Sequence, residues 1–281
     1  MIVYKYISFE NLVSIIETTK MSLTNIKRWE DPFEGFMPLK KEKDKCIELI
    51  MSLYNGNFCD DSTRMELEQK ENILYSRVYE NFCFAQSWTD SPHESDAMWR
   101  IYSGGKGVRI EIDVDEIKAF VAKELINKGF HETDVHNIKI EYSKDTPPLL
   151  INNTNHSSSE TIFKQIAGYK RRAFIHEDEY RIGFLYPVFD SPEAKKIETE
   201  CEELRSKNNL SNYLDSLLER FKLLKLESTI NFFDYDIELS AIKEIILDPR
   251  ASDHHTERFF GYMKNRNLNI KHNKSGLYNR G

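Results

Sequence analysis

The run Glu177-Asp178-Glu179-Tyr180-Arg181 places two carboxylates and a guanidinium within one short segment. On a strand, side chains alternate, so Glu177, Glu179 and Arg181 share one face, while Asp178, Tyr180 and Ile182 take the other. Such a row is costly to bury without partners, so its face meets either water or a polar cleft. Carboxylates paired in a cleft push at least one pKa upward, which suits acid–base work or stabilisation of a developing cation. The plainer alternative is an exposed edge strand with an ion pair along it. A second group is Tyr4-Lys5-Tyr6, with the two tyrosines on one strand face and Lys5 opposite. Tyrosines beside a cation suit a flat heteroaromatic ring or a phosphate, although strands of this composition mostly just pack. A third is Ser87-Trp88 with Met98-Trp99-Arg100-Ile101-Tyr102. In a helix Met98 and Tyr102 are i,i+4 neighbours and Trp99 lies on an adjoining face, for which core packing is the default. The loop Asp31-Pro32-Phe33-Glu34-Gly35 could give oxygen ligands to a metal together with Glu177 and Glu179. It reads more simply as a turn that Asp31-Pro32 begins.

The elements that must position these residues alternate irregularly. Residues 3–7 read as a strand, Ser8 as the N-cap of a helix over 9–19 (Leu12, Ile15 and Ile16 inward), and Met21–Asn25 as a second strand. Helices are expected over 41–54 and 62–80, a β-prone run over Phe82–Trp88, and a short helix over 95–102. Gly104-Gly105-Lys106-Gly107 turns into a strand over Val108–Asp113, and a helix over 114–128 and a strand over 137–143 follow. Residues 144–159 read as a loop, then a helix runs to about 175 and leads straight into a strand over 178–186. Residues 191–228 read as an inserted helical hairpin with a leucine stripe. Strand Ile242–Asp248, a helix over 252–266 and a short strand over Leu268–His272 complete the chain. Without a regular βαβ rhythm the expectation is α+β, a mixed and largely antiparallel sheet in a single domain over 1–281.

Composition narrows the classes. The chain has 281 residues and a formal charge of −7, which argues against non-specific coating of nucleic acid. Basic residues are nevertheless clustered: Lys170-Arg171-Arg172, and a tail over 258–281 with six cations and no acid. A local groove for a phosphate-bearing ligand is compatible with this, although a solvated tail packed on an acidic face is the simpler reading. No apolar stretch approaches a membrane span and no signal-peptide pattern opens the chain, so a cytoplasmic location is expected. Cys46, Cys59, Cys83 and Cys201 show no zinc-type spacing. No strand-to-helix glycine loop and no Gly-x-Ser-x-Gly elbow is present, which disfavours P-loop, Rossmann, kinase and serine-hydrolase readings. His254-His255 and His272 read as surface residues.

Together the segments resemble the prokaryotic family called domain of unknown function 2971. They include Tyr4-Lys5-Tyr6 with Asn11-Leu12, Leu23-Thr24-Asn25, Asp31-Pro32-Phe33-Glu34, Cys83-Phe84 with Ser87, Met98-Trp99 with Tyr102, Gly107-Val108, Lys170, Glu177-x-Glu179-Tyr180-Arg181, Ile242–Ile246 and Lys274-Ser275 with Arg280. More distantly the pattern resembles the ADP-ribosyltransferase superfamily, through the aromatic opening strand, a middle strand ending in Ser87, and a late Glu-x-Glu. That resemblance implies NAD as substrate with no metal, Glu179 as catalytic carboxylate and Glu177 orienting the acceptor. It implies Tyr4, Lys5, Tyr6, Ser87, Trp99, Arg109 and Arg181 around the dinucleotide. It also implies a DNA or RNA acceptor facing Lys170, Arg171, Arg172 and the basic tail, and a role in toxin–antitoxin or anti-phage loci. The helical insert at 191–228 lies outside the resemblance and is a candidate docking hairpin for a partner protein under any reading. Lys5 stands where many relatives carry histidine, and Gln86-Ser87-Trp88 stands where they carry Ser-Thr-Ser. Two other classes stay open: a metal-dependent nuclease using Asp31, Glu34, Glu177 and Glu179, and a non-catalytic sensor or binding subunit. The transferase reading requires Tyr4 and Glu177 to share one cleft.

Overall fold

The computed structural model describes residues 1–31, 34, 82–131, 133–143, 158–186 and 230–279. The helices expected over 41–54 and 62–80 and the insert over 191–228 lie outside the described residues. The strands are β1 (Ile2–Ile7), β2 (Lys20–Asn25), β3 (Cys83–Thr89), β4 (Val108–Asp113), β5 (His136–Lys139), β6 (Glu141–Ser143), β7 (Tyr169–Arg171), β8 (Glu179–Leu185), β9 (Phe232–Asp236), β10 (Glu244–Leu247) and β11 (Lys271–Lys274). The helices are α1 (Phe9–Thr18), α2 (Asp96–Tyr102), α3 (Val114–Asn127), α4 (Ser159–Ala167) and α5 (Asp253–Asn265). The class is α+β. A main sheet runs β11-β10-β4-β1-β3-β2-β9, with β8 on β3 and β5 on β8; β6 and β7 form a separate parallel pair. Within the main sheet only β10 and β11 are parallel among the described pairings.

Strand β3 is the branch point. Along one edge β8 pairs with it throughout, from Cys83↔Leu185 to Thr89↔Glu179. Along the other edge β2 takes one end (Asn25↔Phe84, Thr24↔Ala85) and β1 meets only the opposite end, at Tyr4↔Thr89. A seam is left between β1 and β2. There the Ser87 carbonyl accepts a hydrogen bond from Lys5 Nζ at 2.7 Å, which supplies the partner that the sheet ladder does not.

Alternation along the strands divides the core. Phe84 and Trp88 of β3, with Tyr180, Ile182 and Phe184 of β8, face a large cluster that also buries Val3, Ile110, Leu12, Val121 and Phe259. Cys83, Ala85 and Leu185 face the other way, with Ile26 and the α4 residues Phe163 and Ile166. Glu179 and Arg181 fall on this second face, because they alternate with Tyr180 and Ile182. Helix α1 begins where Ser8 Oγ accepts the Asn11 N–H at 3.1 Å and ends at Thr19 in the left-handed region.

Several expected boundaries shift for local reasons. The helix expected to run to about 175 ends at Ala167; Gly168 caps it, and the chain enters β7 and a 3-10 helix over Arg172–Glu177. The strand expected over 137–143 divides at Ile140, since β5 pairs with β8 and β6 with β7. The last strand is Lys271–Lys274 rather than Leu268–His272. Strand β9 had no counterpart in the expected elements, although Phe233 and Tyr235 alternate inward with Phe232, Asp234 and Asp236 outward.

Gly183 lies on β8 where the backbones of β3 and β8 approach most tightly. A Cβ there would sit 2.1 Å from the Phe84 carbonyl oxygen. Gly183→Ala is therefore expected to cost about 3 kcal/mol through overpacking. On α5, a Cβ at Gly261 would meet nothing within 4 Å, and Gly261→Ala should stabilise by about 0.5–1 kcal/mol through helix propensity. Urea unfolding of the two variants should move in opposite directions.

Candidate active site

A cleft of about 840 Å³ opens along the seam between β1 and β2, beside β3. Its walls come from β1 (Tyr4, Lys5, Tyr6), the start of α1 (Ser8, Asn11), and the segment after β2 (Arg28 to Asp31, with Glu34). Ser87 and Trp88 of β3, Met98, Ile101 and Tyr102 of α2, and Lys170, Arg171, Phe174, Glu177 and Glu179 complete it. Tyr4 and Glu177 thus line one cleft. Residues from both faces of β1 reach it because it opens where that strand parts from its neighbour.

At the cleft floor Glu179 is almost completely buried and accepts hydrogen bonds at both oxygens. Oε1 takes the Ser87 hydroxyl and Arg181 Nε, the latter at 2.6 Å. Oε2 takes Arg181 Nη2 at 3.1 Å and Lys170 Nζ at 3.0 Å. Its backbone N–H donates to the Tyr142 hydroxyl at 2.8 Å. Burial pushes this carboxyl upward, but Arg181, Lys170 and the Ser87 hydroxyl outweigh it and hold the pKa at about 2. Glu179 is therefore fully ionised at neutral pH.

Glu177 does not share a continuous strand with Glu179. It ends the 3-10 helix, and Asp178 turns the chain through a left-handed conformation at φ 45° before β8 begins. That turn, rather than strand alternation, brings both glutamates to the same ammonium: Lys170 Nζ lies 2.7 Å from Glu177 Oε2 and 2.8 Å from Glu34 Oε1. Tyr102 also hydrogen-bonds Glu177, and burial raises that phenol strongly. Burial raises Glu34 too, against the pull of Arg181 and Lys170. Across the seam, the setting of Lys5 lowers its amine to about 8 by desolvation, opposed by the charge of Glu179. Its ammonium lies 5.2 Å from the centre of the Trp88 ring.

Three of the residues expected around the cofactor do not line the cleft. Arg181 is wholly buried beneath the floor, where it holds Glu179, Glu34 and the Ala167 carbonyl and stacks 4.3 Å from the Trp29 ring centre. It is a support for the carboxylates, and its guanidinium has no path to a pyrophosphate. Trp99 is buried behind the α2 wall, edge-on to Tyr6 at 4.8 Å, with its indole N–H on Glu94. Arg109 covers the far side of Tyr4 and donates to the Pro92 carbonyl at 3.1 Å. Lys170, expected to face nucleic acid, points into the carboxylates. Arg171 pairs with Asp31 at 3.0 Å and Arg172 is exposed outside the cleft. In the tail, Arg266 and Lys271 pair with Glu17 and Glu244, and Lys274 donates to the Ala251 carbonyl. No described tail residue lines the cleft.

Sequence reasoning passed over Trp29, Tyr142 and the central placement of Lys170. The available signal for Lys170 was the break at Gly168, which ends α4 and puts Lys170 on a strand pointing inward. Among the described residues no helix is long and apolar enough to cross a membrane.

The fold and cleft define an α+β protein with a buried carboxylate–cation cluster at the branch of its sheet. Residues 98–182 match the family model described as protein of unknown function (DUF2971). No curated protein and no solved structure matches the chain.

Arg181 has no exposure, so its loss leaves Glu179 and Glu34 short of a counter-charge in a dry setting. Arg181→Met should destabilise by about 3–5 kcal/mol. The folded pKa of Glu179 lies below its unfolded value, so its contribution is complete above about pH 4.3 and disappears as pH falls towards 2. Urea midpoints of the natural chain should drop through that window, and the acid dependence should be shallower in Arg181→Met.

Proposed function

We propose that this protein cleaves the nicotinamide–ribose bond of NAD and passes ADP-ribose to an acceptor, as an ADP-ribosyltransferase-like effector in a prokaryotic defence or toxin–antitoxin system. The observation that carries the reading is an ionised Glu179, bonded by Ser87 across the β3–β8 pair, at the floor of a cleft walled by Tyr4, Lys5 and Tyr6. A cleft of this volume suits a dinucleotide-sized ligand. Its aromatic and cationic walls suit flat rings and phosphates.

In this reading nicotinamide leaves with the electron pair of its bond to C1′ and becomes neutral. The cation left on the ribose is met by the Glu179 carboxylate, whose charge is fixed before reaction. An acceptor oxygen or nitrogen then bonds to C1′, and its proton passes to Glu177. Lys5, Arg28 and Arg171 are the cleft-lining cations outside the carboxylate cluster, and they are the candidates to approach the phosphates. The nuclease reading is less favoured because Glu34, Glu177 and Glu179 surround the Lys170 ammonium and Asp31 is committed to Arg171.

Purified protein should release nicotinamide from NAD without added metal. Glu179→Gln, with its fold verified by circular dichroism, should lower kcat/KM by about 100-fold or more, and Ser87→Ala by about tenfold. Absence of release with DNA, RNA and cell lysate as acceptors would overturn the proposal and return weight to a nuclease or a non-catalytic binding subunit.

A further inference from the structure

We infer that Lys170 is a positioning residue, whose single ammonium clamps Glu177 and Glu179 side by side in the orientation that the reaction needs. The inference rests on the reading of Glu179 as the catalytic carboxylate. It adds a role for a residue whose type and cluster in the sequence point instead to a polyanion.

An ammonium has three N–H donors. Lys170 Nζ has three carboxylate oxygens around it, from Glu177 at 2.7 Å, Glu34 at 2.8 Å and Glu179 at 3.0 Å. Each donor therefore has an acceptor on a different residue, and none is left for a substrate phosphate. The side chain is mostly buried, and the face of Phe174 lies 4.9 Å from its nitrogen. The backbone is held equally firmly. Lys170 pairs with Tyr142 in the parallel β6–β7 ladder, and that same Tyr142 receives the Glu179 N–H through its hydroxyl. The clamp and the glutamate it holds are thus tied to one residue.

Arg181 cannot substitute for it. The guanidinium reaches Glu179, Glu34 and the Ala167 carbonyl from beneath the floor. Glu177, on the cleft side, has Lys170 and the Tyr102 hydroxyl. The groups facing the cluster are Lys5 from β1, Tyr102 from α2, Tyr142 from β6, Arg181 from β8, and Glu34, with the Asp31–Arg171 pair beside it. Removing Lys170 would leave Glu34 and Glu179 to share one guanidinium, with Glu177 beside them and no cation of its own. Like charges at that spacing make one of them take up a proton near neutral pH.

The test compares Lys170→Met with the natural chain in two measurements that do not depend on each other. The first is steady-state NAD turnover against pH. A clamp predicts kcat down by about 100-fold, KM within about twofold, and an acid limb displaced upward by one pH unit or more. A phosphate-binding lysine would raise KM and leave kcat and the limb in place, and that result would overturn the inference. The second is a carbon-13 NMR titration of labelled glutamate carboxyls, which needs no activity. At least one carboxyl should titrate higher by one unit or more in Lys170→Met; an unchanged titration would overturn the inference. If the natural chain turns over no NAD while the titration shifts, the transferase reading fails and the clamp stands. Lys170→Gln, which keeps N–H donors without the charge, replaces the Met variant should that fail to fold. Lys170→Arg should not restore activity, because a planar fork cannot direct donors to three separate carboxylates.

Discussion

Glu179 and Arg181 lie two residues apart on β8, on a face that alternation forces away from the main core and beneath α4. Arg181 has no exposure and Glu179 almost none, so each must be neutralised by the other and by what surrounds them. The cost of an unpaired charge in that setting exceeds most single packing terms. It explains why elements distant in sequence converge there: Trp29 and Glu34 after β2, Ser87 from β3, Tyr142 from β6, Lys170 from β7. The cleft exists because β3 shares one edge between two partners and leaves the Ser87 carbonyl between them to a lysine. Charge placement and strand branching are thus one arrangement. The carboxylate ends up at the bottom of the gap that the branching opens.

The cleft wall opposite this cluster is built in a different way. Helix α2 has fewer than three turns, too short to be stable on propensity alone. It is held from behind by Tyr6 against Trp99, by Glu94 taking both the Trp99 indole N–H and the Ser275 hydroxyl, and by Tyr278 bonding Asp96. Ser103, just past the helix, donates to the fully buried Asp248, which Arg250 also holds. The apolar side chains Ile101 and Tyr102 remain partly exposed at the cleft mouth as a result, since the inward positions of the helix are occupied by Met98 and Trp99.

Much of this was legible in the residues. The opening strand, α1 with its Ser8 cap, β3, β4 and α3 follow from periodicity and capping, because tertiary contacts there agree with local preference. The Glu-x-Glu segment stood out as a candidate site, and its glutamates do converge on one ammonium. The reason differs: strand alternation would have aligned Glu177 with Glu179, whereas a 3-10 turn and left-handed Asp178 do so. Lys170 was misplaced because helix periodicity from Ile162 to Phe174 masked the stop at Gly168. One residue of glycine converts a solvent-facing helical lysine into an inward strand lysine. Arg181 was assigned to substrate through the resemblance, and spacing could not correct this, because it shows which residues share a face but not how deep that face lies. The alternating Phe233 and Tyr235 signal of β9 was present but short.

The pairings also differ widely in the length of chain they must close. Closing a chain loop costs entropy that grows with the logarithm of its length, and contacts between distant segments slow the search for the native state. The pairing of β1 with β3 lies within the first third of the chain, and that of β3 with β8 joins the first third to the second. Strand β9, by contrast, must find β2 with Met21 beside Tyr235. The floor of the cleft uses the shorter closures and the outer wing of the sheet the longest. Until β9 pairs, the edge of β2, with Met21 and Leu23 still uncovered, offers an apolar ladder to any strand that reaches it first. Of the pairings in this sheet, β2 with β9 spans the longest separation in sequence, and it is the one that covers that edge.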